Sequence, residues 1–232
     1  MAYKYDFDLE QCWYRAVCEK YKDIDVCNHS CIRYMEMHYL MGTSGLPKHA
    51  QQPMRLTPDR QRDVTSFNKL NGIKKDIATF VNSPGGLYIY STITGIGKTS
   101  WAIKLMQEYF NQVWCGNGFR CRGLFVHVPS FLTKLKNIIQ TKDYDFDVFL
   151  QRLPVVDMVI WDDIASSKLS DFDHTNLLTY IDQRVLSGLC NVYTGNVGQH
   201  DLFGCVGERL GSRIWNDSIT VEFTGRDRRT AV

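Results

Sequence analysis

Gly86-Leu-Tyr-Ile-Tyr-Ser-Thr-Ile-Thr-Gly-Ile-Gly-Lys-Thr-Ser100 is the stretch on which the reading of this chain turns. Its apolar run, Leu87 to Tyr90, predicts a short buried strand. Small residues follow, and a helix is expected to begin near Thr99. Thr94, Gly95, Ile96, Gly97, Lys98, Thr99 and Ser100 then form the second half of a phosphate-binding loop. Glycines let backbone N–H groups turn inward around phosphate oxygens, and the helix N-terminus adds partial positive charge. Lys98 would reach the β- and γ-phosphates of ATP, and the Thr99 hydroxyl would help to hold Mg²⁺. One position departs from the G-x-x-x-x-G-K-[ST] pattern, which wants glycine where this chain has Thr92.

Downstream, Pro154-Val-Val-Asp-Met-Val-Ile-Trp-Asp-Asp163 is a hydrophobic run that ends in two acids, sixty-four residues after Lys98 at Asp162. That is the form of a Walker B strand. Asp162 would hold the Mg²⁺ through water, and Asp163 would orient the attacking water. Cys190-Asn-Val-Tyr-Thr-Gly-Asn196 reads as the neighbouring strand, with Asn196 at its end as a γ-phosphate sensor. Gly207-Glu-Arg-Leu-Gly-Ser-Arg-Ile214 follows on an expected helix. Arg209 and Arg213, four apart, share one face there. Arginine offers fixed planar charge to a transferring phosphoryl group, often from a neighbouring subunit.

Working outward, Asp63 to Asn82 carries apolar spacing at Phe67, Leu70, Ile73, Ile77, Phe80 and Val81 that predicts one amphipathic helix. A helix is expected from the phosphate loop to about Asn111, then a strand over Gly123 to Val128. Ser130 is a candidate cap for a helix over Phe131 to Ile139. Lys134, Lys136 and Lys142 on or beyond that helix read equally as an edge for single-stranded nucleic acid or as a solvated face. Further elements are a helix over Thr175 to Leu186 and a strand over Ile219 to Phe223.

Half of the eight cysteines lie in the front: Cys12, Cys18, Cys27 and Cys31, with His29 among them. Four thiols in so short a segment suit tetrahedral Zn²⁺, which would supply stability that a small core lacks. The expected ligands are these four cysteines, with His29 in place of Cys12 as the alternative. The organisation expected is a zinc-binding module over 1–41, a linker over 42–63 and a nucleotide-binding domain over 64–232. The linker rests on three prolines with glutamines and arginines, Arg55, Arg60 and Arg62 among them. Cys31 to Met41 reads as a helical packing face.

Composition fits a soluble globular protein: 232 residues, 44% hydrophobic and 22% charged. A formal charge of +2 excludes a wholly basic nucleic-acid binder, so any such surface must be a local patch. The first residues do not show the basic-then-apolar pattern of a signal sequence, so none is expected, and no apolar run comes near the roughly 18 residues that span a bilayer. The cytoplasm, with reduced cysteines and no membrane partner, is the compartment expected.

The order strand, P-loop, helix, strand, helix, Walker B strand, helix, sensor strand, arginine helix, strand resembles the AAA+ ATPase core. More narrowly, GLYIYSTITGIGKTS, VVDMVIWDDI, NVYTGN, GERLGSRIW and the terminal GRDRR are similar to DnaC/DnaI-type replicative helicase loaders of bacteria and phages. The IstB transposition ATPases are close relatives. The resemblance covers roughly Phe67 to Arg229, and the cysteine-rich front resembles the zinc-containing, helicase-binding domain of DnaI-like loaders. It implies an α/β fold: a five-stranded parallel sheet with flanking helices, no helical lid, and a small zinc module in front. It also implies ATP, Mg²⁺ and Zn²⁺ as cofactors. The implied partners are a hexameric replicative DNA helicase, single-stranded DNA and further copies of the chain, in the bacterial cytosol. By resemblance, Lys98, Asp162, Asp163 and Asn196 carry the chemistry, Arg213 is the arginine finger, and Arg229 is the C-terminal sensor arginine beside Arg226 and Arg228. Asp163 is one methylene shorter than the usual glutamate, which implies weak ATPase activity stimulated by DNA or helicase. The rival readings are an IstB-like ATPase that assembles on duplex DNA, or a nucleotide switch that does not hydrolyse.

Overall fold

The computed structural model describes residues 12–18, 27, 30–57, 59, 62–138 and 143–227. His29, Arg60, Lys142, Arg228 and Arg229 therefore lie outside the described residues. Five parallel strands, β1 (Gly86–Tyr90), β2 (Gly123–His127), β3 (Met158–Asp162), β4 (Cys190–Gly195) and β5 (Ser218–Glu222), form one sheet in the order β2-β3-β4-β1-β5. Sheets of this kind are covered on both faces, which is why β1 and β3 read as unbroken apolar runs.

Side chains alternate between the two faces. Leu87, Ile89, Ile160 and Val192 pack on one side against α1 (Ile32–Thr43), α2 (Val64–Lys75), α3 (Ile77–Asn82) and α4 (Lys98–Val113). Tyr88, Val159, Trp161 and Tyr193 face the other side. There they meet α5 (Val128–Asn137), α6 (Tyr144–Arg152), α7 (Asp171–Leu186), α8 (Gln199–Val206) and α9 (Glu208–Trp215). At the sheet's lower edge the fully buried Arg184 of α7 donates to Asn191 Oδ1 and to the carbonyls of Leu153, Val156, Asp157 and Cys190. Burial pulls its pKa down to about 10, still leaving the guanidinium charged at neutral pH.

Several expected boundaries move. The single helix expected over 63–82 is two, because Asp76 leaves helical geometry at φ −124°, ψ 48°. Ser130 is not a cap: α5 starts at Val128, and Ser130 lies in its first turn, where its hydroxyl pairs with His127 Nδ1 at 2.8 Å. The short helices α6 and α8 were not expected from the sequence.

The segment expected to be a spacer is packed. Leu46 and Ala50 are buried in the same core as α1 and α4, around a short 3-10 helix at Lys48–Gln51. Gln107 of α4 is the cause. It donates to the carbonyls of Ala50 and Gln52 and accepts from Met54 N–H. The front also docks on α4, where the buried Tyr14 donates to Asn111 Oδ1 at 2.9 Å and Arg33 lies 3.5 Å over the Tyr14 ring. Among the described residues no helix is long and apolar enough to cross a membrane.

Candidate nucleotide site

The carboxyl ends of β1, β3 and β4 open into a cavity of about 530 Å³ lined by Leu56, Thr94 to Trp101, His127, Asp162, Asp163, Thr194 and Asn196. Ligands of open α/β sheets bind at these strand ends, where helix N-termini converge. Gly95 and Gly97 hold φ of 69° and 100°, a backbone that a side chain resists, and so turn the loop into the start of α4. Lys98 Nζ, nearly buried, donates to the carbonyls of Ile93 at 3.1 Å and Ser91 at 3.4 Å.

Asp162 ends β3 with its carboxylate facing the loop. Its Oδ1 accepts from Thr99 Oγ1 and from Thr194 Oγ1, both at 2.7 Å. Burial pushes its carboxyl above the ordinary aspartate range, while these two hydroxyl bonds pull the other way. The Thr99 hydroxyl and the Asp162 carboxylate are hard oxygen donors side by side, which fits Mg²⁺: that ion takes few protein ligands and completes its shell with water and phosphate. Asp163 follows at φ 60°, an unusual backbone for a non-glycine residue. Two bonds hold it there. Its N–H donates to Thr194 Oγ1, and its Oδ1 accepts from Asn196 Nδ2, each at 3.0 Å.

Lys98, Thr99, Asp162, Asp163 and Asn196 are thus brought together as the sequence led one to expect. Two members of the site were missed, Thr194 and His127. Thr194 stands inside the TGN run two residues before Asn196, and its type and spacing do not mark it out. His127 is paired with Asp162 in the β2–β3 register, and its ring favours the ionised Asp162. Only the tertiary register exposes it.

Arg213 is not in this cavity. It lines a second cavity of about 700 Å³ with Gly86, Asn191 and Ser218, residues at the opposite ends of the strands. Asp182 holds it at 2.7 Å and also takes Arg209 at 3.0 Å. A finger role for Arg213 therefore requires a second copy. The lysine edge is also altered: Lys136 is tied to Asp173 at 2.8 Å, and Lys134 lies 5.8 Å from the Phe146 ring.

The zinc expectation is not met among the described residues, where no group of three or more His, Cys, Asp or Glu side chains is placed to hold a metal ion. The cysteines are nonetheless neighbours. Burial first, then the charges of Cys27, Cys31 and Cys18, raise the Cys12 pKa, and burial with Cys18 and Cys31 raises that of Cys27.

This strand order, with a glycine-bearing loop after β1 and acids at the end of β3, is consistent with an AAA+ α/β core. The structure is similar to that of the DnaC helicase loader, at TM-score 0.59 and 19% identity, covering 73% of this chain and 94% of that one. It is likewise similar to DnaI, at TM-score 0.63 and 17% identity over 78% of this chain and 96% of that one. The replication initiator DnaA bound to AMPPCP and single-stranded DNA matches at TM-score 0.56 and 14% identity, over 81% of this chain and 50% of that one. No protein-family model and no curated protein matches the chain.

Proposed function

We propose that this chain is an ATP-dependent loader that grips a hexameric replicative helicase in the bacterial cytosol and helps to place it on DNA. The observation that carries this reading is the convergence of Lys98, Thr99, Asp162, Asp163 and Asn196 in one cavity on the fold that DnaC and DnaI share. Lys98 would exchange the Ile93 and Ser91 carbonyls for β/γ-phosphate oxygens. The Thr99 hydroxyl and the Asp162 carboxylate would hold Mg²⁺, which neutralises phosphate charge when bound. Asp163 would position the attacking water, and Asn196, already bonded to Asp163, would report the γ-phosphate to it.

Self-association would bring Arg213 of one copy to the nucleotide of the next, since its own site lies at the other end of the sheet. Arg229 would contribute the C-terminal sensor arginine. Zn²⁺ on Cys12, Cys18, Cys27 and Cys31 would draw the neighbouring thiols into a tetrahedron and order the front for helicase contact. ATPase activity would be weak and raised by single-stranded DNA or helicase, because Asp163 is short.

The test is co-purification of the full chain with a hexameric replicative helicase, with and without ATP, against Lys98→Ala and a chain lacking residues 1–31. Loading requires that Lys98→Ala keep helicase contact but lose nucleotide, and that the shortened chain lose the contact. Truncation at Gly42 is unsuitable, because α1 is part of the core. No complex in any nucleotide state would overturn the loader reading.

A further inference from the structure

After β5 the chain turns back toward the nucleotide cavity, and one aspartate at the far end of the spacer segment fixes its course. Thr224 N–H and Gly225 N–H both donate to Asp63 Oδ1, each at 3.0 Å. Asp63 is 1% exposed and stands at the N-cap position of α2, yet its side chain makes no cap bond there. Its carboxylate is given over to the C-terminal segment instead. The fit is tight, since a Cβ on Gly225 would collide with the Asp63 carboxylate. β5 itself is laced to α2 by Ser66 Oγ donating to the Glu222 carbonyl and by Lys69 Nζ donating to the Thr220 carbonyl.

Two residues beyond this clasp, the Asp227 carboxylate rests on Gly95 of the phosphate loop, close enough that a Cβ on Gly95 would collide with it. A loop whose amides would take phosphate thus carries an anionic side chain against one of its own glycines. Two anions on one loop repel, and the partly enclosed setting screens them less than bulk water does.

We propose that Asp63 is a positioning residue that latches the C-terminal segment across the phosphate loop, so that Asp227 acts as an intramolecular brake on nucleotide binding. The proposal rests on the nucleotide-binding reading and deepens it. Nucleotide entry must work against the Asp227 charge or shift the segment, and the strength of the latch sets how much. Arg226, Arg228 and Arg229 follow or flank Asp227 in sequence. Removing the whole tail would therefore mix charges of both signs, whereas Asp227→Asn isolates the carboxylate.

The measurement is titration of the full chain with a fluorescent N-methylanthraniloyl ATP and Mg²⁺ at low and high salt. Asp227→Asn is expected to bind roughly five-fold tighter at low salt, with the gain shrinking as salt rises. In an Asp63→Ala background the gain from Asp227→Asn disappears. With Asp63→Asn it persists, because the amide oxygen still accepts from Thr224 and Gly225. A purely structural Asp63 would lower the melting temperature but leave the Asp227→Asn gain intact in every background. If Asp63→Ala does not fold, Gly225→Ala opens the same clasp from the other side and is held to the same expectation. Equal affinity of wild type and Asp227→Asn at low salt overturns the brake, and so does full additivity with the opened clasp. Absence of binding by the wild type removes the nucleotide reading and the brake with it.

Discussion

Thr194 Oγ1 donates to Asp162 Oδ1 at 2.7 Å and accepts from Asp163 N–H at 3.0 Å, so one hydroxyl at the end of β4 fixes both acids at the end of β3. Thr194→Val keeps the shape and removes both bonds. Leaving the buried Asp162 carboxylate and the half-buried Asp163 N–H each a bond short costs on the order of 1–2 kcal/mol of stability. The larger expected effect is on chemistry, with ATP turnover falling more than nucleotide affinity. Steady-state kinetics beside a melting curve would check this, and unchanged turnover would show that Asp163 keeps its aim unaided.

Asp162 ties the site to pH. Burial raises its folded carboxyl pKa, so the native state keeps the proton at a pH where the unfolded chain has lost it. The charged form is penalised above that pKa. The contribution of Asp162 to the stability of the nucleotide-free protein therefore rises as pH falls through it, opposite in sense to that of Asp173, while Mg²⁺-dependent nucleotide binding is expected to weaken over the same interval. Asp162→Asn should raise the melting temperature by about 2–4 °C and abolish Mg²⁺-dependent binding. A lower melting temperature would mean that the Thr99 and Thr194 bonds outweigh burial.

Asn196 Nδ2 supports Asp163 at 3.0 Å and lines the cavity. Asn196→Ala should cut hydrolysis by about ten-fold or more and leave the affinity for ATP within a factor of a few. Equal losses in both would make Asn196 a binding group rather than a support for water activation.

Gln107 is the polar centre of the contact between α4 and residues 50–54. Gln107→Leu leaves the carbonyls of Ala50 and Gln52 and the Met54 N–H without their partner, at a cost on the order of 2 kcal/mol. Proteolysis should then open the chain near Gln52. Unchanged stability and cleavage would mean that Leu46 and Ala50 alone hold the segment.

The meeting of Lys98, Thr99, Asp162, Asp163 and Asn196 in one cavity was legible because the chemistry expected of them fixes both residue type and spacing, and the fold only had to bring strand ends together. Composition signals a spacer over 42–63, but it does not show that Leu46 and Ala50 are buried or that a glutamine on a distant helix bonds the backbone of residues 50–54. Polar side chains satisfied by backbone leave no periodicity to detect. α6 and α8 are short and carry too few apolar repeats to stand out. The break at Asp76 is a backbone event inside an otherwise continuous apolar pattern. The cysteine spacing suggests a metal site but does not fix a ligand geometry, and among the described residues no such group is formed.

The docking of Tyr14 on Asn111 links the two ends of the chain's logic mechanically. α4 runs sixteen residues, about 24 Å as a regular helix, with Lys98 at its first position and Asn111 near its last. A helix of that length is stiff on the scale of a hydrogen bond. Under the proposed function, a load placed at Tyr14 would be borne by the same rod that sets where Lys98 stands. Nucleotide occupancy and mechanical load would then read each other along a single lever.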